Sequence, residues 1–149
     1  MCKYKKQDLF GEICKGEMKI NHYGQILDEE WCKTSKVRNN VSLDEYVIMP
    51  NHFHGILVFD ESDTVSMISS TPELHLRGKC SGASPGSVGA IIGQVKSRTA
   101  RRINHSRGTL GVKVWQRNYY EHVIRDDNDL DDIRQYIKNN PEKMYLLDK

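Results

Sequence analysis

No run of apolar residues in this chain approaches the ~20 that a membrane-spanning helix requires, and the N-terminus lacks the apolar core of a secretory signal. A membrane protein is therefore not expected, and the cytosol is the expected compartment. Cysteine is sparse: Cys2, Cys14, Cys32 and Cys80 show no C-x-x-C spacing. That pattern argues against a zinc knuckle or a disulfide frame and fits reduced thiols. Strong charge of one sign is missing too. The formal net charge is +2, so any affinity for nucleic acid has to come from local clusters. Internal repeats are absent. What remains, 149 residues at 38% hydrophobic content, suits one domain over residues 1–149 with its own core.

The stretch from Tyr46 to Phe59 is the most informative. Two apolar runs flank Met49-Pro50-Asn51, and Pro and Asn set turn dihedrals, so it reads as strand, tight turn, strand. Side chains alternate faces along a strand, which puts His52 and His54 on one face and Phe53 on the other. Two imidazoles about 7 Å apart on a rigid strand can grip one metal ion if a third ligand arrives from elsewhere. A bare His-x-His also fits two solvent-facing histidines. Gly55 is expected to leave room beside the pair, and Ile56 and Val58 to carry the same face into the core.

Upstream, Leu9–Cys14 and Glu17–Ile20 flank Lys15-Gly16 as a hairpin, with Gly16 supplying positive φ. A scaffold helix follows from an Asn21 N-cap to Lys36, with Tyr23, Ile26, Leu27 and Trp31 at helical spacing. Residues 37–42 read as a loop. Residues 60–87 are rich in Ser, Thr, Gly, Pro and Asp and read as a flexible internal loop. From Val88, an apolar stripe (Ile91, Ile92, Val95, Thr99, Ile103) marks a helix whose other face carries Lys96, Arg98, Arg101 and Arg102. Such a face is either a solvated surface or a phosphate-tracking one. Residues 112–125 look like one or two short strands, in which Trp115, Tyr119 and Tyr120 are expected to pack and a lone His122 to be structural. The acidic run from Asp126 to Asp132 opens a last helix, where carboxylates offset the dipole and cap free amides. Leu130, Ile133 and Ile137 form its buried stripe, Tyr136 and Asn140 share its edge, and Pro141 is expected to end it.

Three segments, Met49–Gly55, Trp115–Arg125 and Tyr136–Pro141, together resemble the HUH single-tyrosine transposases, in the branch of the REP-associated tyrosine transposases. The resemblance runs from about Leu9 to the C-terminus. It implies an α+β, ferredoxin-like sandwich in which helices pack on an antiparallel sheet. It implies that His52, His54 and Asn140 hold Mg²⁺ or Mn²⁺ and that Tyr136 is a nucleophile cutting single-stranded or hairpin DNA, with Lys96, Arg98, Arg101 and Arg102 along the DNA. A homodimer is among the assemblies it allows. Members of that family begin with a further hydrophobic strand. The basic Met1–Gln7 stands in its place, so this chain is expected to lack that strand, through a start upstream of Met1 or decay of the copy.

The chemistry suits those residue types. Replacing the leaving 3′-oxygen by an enzyme oxygen stores the phosphodiester as a covalent phosphotyrosine. A free phenol, with a pKa near ~10, is a poor nucleophile without a divalent ion to polarise the phosphate. Two other classes remain open on the same residues: a non-cutting DNA-binding remnant that uses the basic helix, and a metal-dependent phosphoesterase of small substrates that needs no Tyr136.

Overall fold

The computed structural model describes residues 8–60 and 83–147. In chain order the elements are β1 (Gly11–Cys14), β2 (Glu17–Ile20), α1 (His22–Lys36), β3 (Val41–Ile48), β4 (Phe53–Phe59), α2 (Val88–Ser106) and α3 (Asp127–Leu147). This is an α+β fold.

Local chemistry accounts for most of these boundaries. Lys15 and Gly16 both take positive φ, 54° and 84°, the mirror-image turn that matches strand twist and closes the β1–β2 hairpin. Asn21 caps α1, its Oδ1 accepting from the backbone of Tyr23 at 2.8 Å and Gly24 at 3.1 Å. Ser87 caps α2 through Ala90 N, and Asp126 caps α3 by accepting from Asp129 N at 2.9 Å. The acidic run therefore serves the helix start, as its position suggested.

The β3–β4 ribbon is the centre of the molecule. On one face, Phe53 and Tyr46 pack with Trp31 of α1, and the Trp31–Phe53 rings meet at 4.7 Å, edge to face. Helix α2 packs on α1, and together they bury Trp31, Leu27, Ile26, Val95 and Ile103 with Phe10 and Val114. Burial of this cluster drives the fold at roughly 25 cal/mol per Å² of apolar surface. Helix α3 contacts β3 and lies over the other face, which carries His52, His54 and Ile56.

Several expectations are corrected here. The described strands form two separate two-stranded sheets, β1–β2 and β3–β4, and no single ferredoxin-like sheet. Among the described residues, 112–125 form no strand beyond an isolated bridge at Trp115. Strand β3 starts at Val41, inside the expected loop. Helix α3 runs through Pro141 to Leu147: the proline removes one ladder hydrogen bond, but its ring is buried, and that burial offsets the loss. Gly55 makes room on the opposite face from the histidines, since a Cβ there would sit 2.7 Å from Trp31 Cζ2. Val58 shares the histidine face but is 40% exposed, so only Ile56 carries that face into the core. Residues 1–7 and 61–82, which include the missing-strand expectation and most of the flexible loop, lie outside the described residues.

Candidate active site

The turn between β3 and β4 is held from two sides. Met49 N donates to His52 O at 2.9 Å across the two-residue Pro50–Asn51 loop, and Phe10 N donates to Pro50 O at 2.9 Å. Met49 and Pro50 are fully buried. The histidines therefore project from fixed backbone. Their rings lie 4.9 Å apart, perpendicular. Asn51 Oδ1 sits 2.7 Å from His52 Nδ1; a carbonyl oxygen only accepts, so Nδ1 carries the proton and Nε2 presents its lone pair. Burial, reinforced by His54, pushes the His52 pKa down to about 4, and burial lowers that of His54 too. Both rings are neutral at neutral pH.

Helix α3 delivers the third member. The Tyr136 ring stands 5.4 Å from the His54 ring, perpendicular to it, and the residue is 46% exposed. Asn140 follows one turn later at 9% exposure. Lys143, two turns on, places its Nζ 5.5 Å from the Tyr136 ring centroid. Sequence reasoning missed Lys143, although its i+7 spacing from Tyr136 puts it on the same helix face. The other tyrosines near this segment are differently engaged. Tyr119 is half-exposed and donates to Glu121, a bond that raises its phenol above the ordinary range. Tyr120 is 90% exposed, so neither packs in the core as expected. Tyr46 faces α1, and the thiol of Cys32, burial and the carboxylate of Asp28 hold its phenol protonated. His122 pairs with Asp129 in the first turn of α3 at 2.9 Å, a structural role as expected.

The four cations of α2 do not form one free surface. Lys96 donates to the carbonyls of Gln116 at 2.7 Å and Asn118 at 2.9 Å and lies near the Trp115 ring, tying down the segment after α2. Arg102 bridges to Glu29 at 2.6 Å and Glu30 at 2.8 Å, fastening α2 to α1. Arg98 and Arg101 are exposed. Because α2 packs on α1, these residues and the His54–Tyr136 pair lie on opposite faces of the β3–β4 ribbon.

A protein of Haemophilus influenzae, described as uncharacterized, is 32% identical to this chain over 143 residues, which is 95% of this chain and 77% of that protein. The chain belongs to its family. The Haemophilus relative carries no stated activity, so the family is defined by sequence and the site has to be read from its own geometry. No family model and no solved structure matches the chain.

The donor set can be weighed directly. No group of three His, Cys, Asp or Glu gathers among the described residues. Two neutral imidazoles, with the Asn140 amide on the helix that faces them, are a small neutral set. Such a set leaves positions open for phosphate and water and holds a hard ion loosely. The set is not a closed structural site, which takes four ligands.

Proposed function

We propose that this protein cuts and rejoins single-stranded DNA through a covalent 5′-phosphotyrosine on Tyr136, as the HUH single-tyrosine transposases do. One observation carries the reading: a helix from the far end of the chain sets a partly exposed tyrosine ring against His54, edge to face at 5.4 Å, with the His52 ring 4.9 Å from that of His54. The resemblance implies a tyrosine of the last helix beside these histidines, and this contact supports the reading.

In this reading each residue has a role. Tyr136 Oη forms the bond to phosphorus. The P–O3′ bond breaks with its electron pair leaving on the 3′-oxygen, which takes a proton from water, while the phenol proton passes to solvent. His52, His54 and Asn140 would hold a divalent ion, which when bound polarises the phosphate and stabilises the leaving oxygen. Asn51 orients the His52 ring, and burial keeps both imidazoles unprotonated. Lys143 adds a positive charge beside the attacking ring. Arg98 and Arg101 are exposed and are the α2 cations without an ion-pair partner among the described residues, which leaves them to meet phosphates.

The test uses a 3′-labelled single-stranded hairpin with Mn²⁺. Label should become covalently attached to the protein, Tyr136→Phe should abolish the adduct, and Tyr119→Phe and Tyr120→Phe should retain it. An adduct undiminished in Tyr136→Phe rejects the reading. Hydrolysis of small phosphodiesters that survives Tyr136→Phe would favour a phosphoesterase instead.

A further inference from the structure

The register of β3 against β4 slips between Leu43 and Tyr46: Leu43 pairs with Leu57 and Tyr46 with Gly55. Asp44 and Glu45 thus oppose the single residue Ile56, a β-bulge. In a regular strand two consecutive side chains point to opposite faces. Here both carboxylates reach the same helix. Arg134 Nη2 donates to Asp44 Oδ2 at 2.6 Å, with Arg134 Nε at 3.1 Å from the same oxygen, and Lys138 Nζ lies 2.9 Å from Glu45 Oε1. Arg134 also reaches Asp131 on its own helix at 3.3 Å.

Helical geometry gives these pairs a purpose. At about 100° per residue, Ile133, Ile137, Asn140 and Pro141 centre the stripe that faces the ribbon. Tyr136 lies roughly 90° to one side of that centre, and Arg134 and Lys138 lie roughly 90° to the other. An apolar stripe fixes how close a helix sits but resists rolling about its axis only weakly. Two ion pairs along the opposite edge resist that roll. Side-chain tips lie about 5–6 Å from the axis, so a roll of ~20° moves the phenol by about 2 Å. A misplacement of ~1 Å can cost an in-line reaction about 10²-fold.

We propose that Asp44 and Glu45 are positioning residues: the bulge fixes the roll of α3 through Arg134 and Lys138 and thereby holds Tyr136 against His54. The consequence for catalysis rests on the reading of Tyr136 as nucleophile; the geometric part does not. Partly exposed ion pairs contribute little to global stability, so their loss should show in rate and local geometry, not in unfolding.

The experiment pairs a spectroscopic readout with a chemical one. The ring of Tyr136 shifts the His54 imidazole protons, and Tyr136→Leu defines the NMR position without it. In Asp44→Asn/Glu45→Gln, the His54 signal should move toward the Tyr136→Leu position while hairpin affinity stays unchanged. Single-turnover adduct formation should fall by about 10- to 100-fold. The partner-side variant Arg134→Gln/Lys138→Gln should reproduce both changes, which guards against a local folding defect at the bulge. A wild-type His54 signal with a wild-type rate overturns the proposal. So does a slowed rate with an unmoved His54 signal, because the carboxylates would then act by another route. A moved signal with an unslowed rate overturns the positioning role. Loss of the nucleophile reading itself appears separately, as an adduct that survives Tyr136→Phe.

Discussion

Helices α2 and α3 are both amphipathic and of similar length, yet they are held by different means. Helix α2 buries Ile91, Val95, Thr99 and Ile103 and is locked to α1 by Arg102 on Glu30, a carboxylate whose side chain is almost out of solvent. Among its described side chains, helix α3 buries Ile137, Asn140 and Pro141, while Leu130 and Ile133 are half-buried and the ion pairs to the β3 bulge lie along its edge. The first arrangement makes a scaffold. The second makes a device whose angle is set by charges, and it is the one that carries the candidate nucleophile.

The contrast can be broken most sharply in the core. Ile103→Ala leaves a cavity in the main cluster and should cost about 2–5 kcal/mol in urea unfolding. Ile133→Ala, on the half-buried stripe of α3, should cost about 1 kcal/mol or less. Equal costs would make α3 as much a part of the core as α2.

A smaller effect is expected from Arg102→Gln, about 1 kcal/mol, since Arg102 is itself partly in solvent and Glu30 keeps its bond to Lys33 at 2.8 Å. The sign with pH is fixed. Burial raises the Glu30 pKa, but the hydrogen bonds from Lys33 and Arg102 outweigh it and hold the pKa below the usual carboxylate range. The stabilisation is therefore present above the ordinary Glu pKa and lost as pH falls through the lowered native value. The difference between wild type and Arg102→Gln should vanish in acid, read from unfolding midpoints across pH.

The histidine pair offers a sharper pH test at the α3 face. A depressed imidazole pKa means that protonation competes with metal only well below the ordinary histidine range, down toward pH 4 for His52. Titrated Mn²⁺ affinity should stay nearly level from pH 8 through 6 in wild type and be absent in His52→Ala/His54→Ala. A tenfold decline per pH unit beginning near 6.5 would mean that the rings are not buried as described.

The smallest expected change concerns DNA. Because Lys96 and Arg102 already have protein partners, Arg98→Gln/Arg101→Gln should carry most of the helix's contribution, lowering the slope of log affinity against log salt by about 1–2. Lys96→Gln should mainly loosen residues 112–118. A slope change confined to Lys96 and Arg102 variants would reverse that division.

What was legible in the sequence was local. Strand alternation placed His52 and His54 together, 3.6-residue spacing placed Tyr136 beside Asn140, and capping residues marked the starts of the first and last helices. What was not legible depended on partners distant in the chain. The carbonyls of Gln116 and Asn118 claim Lys96, and Glu29 and Glu30 claim Arg102, so a basic run that looks continuous is half committed to structure. The bulge at Asp44–Glu45 has no turn residue to announce it, and its function becomes visible only with Arg134 and Lys138 across from it. Alternation in residues 112–125 suggested strands, but among the described residues that segment keeps only a single bridge at Trp115, and alternation alone does not supply a pairing partner.

The central claim is that one phenol, Tyr136, bonds to DNA. The most direct measurement is mass spectrometry of the protein–DNA adduct after nuclease and trypsin digestion. Cleavage after Arg134 and Lys138 isolates Tyr136 in a short peptide, away from Tyr119 and Tyr120, which fall between Arg117 and Arg125. We expect the residual 5′-nucleotide on the peptide that contains Tyr136. Its presence on the peptide that contains Tyr119 and Tyr120 would contradict the assignment outright.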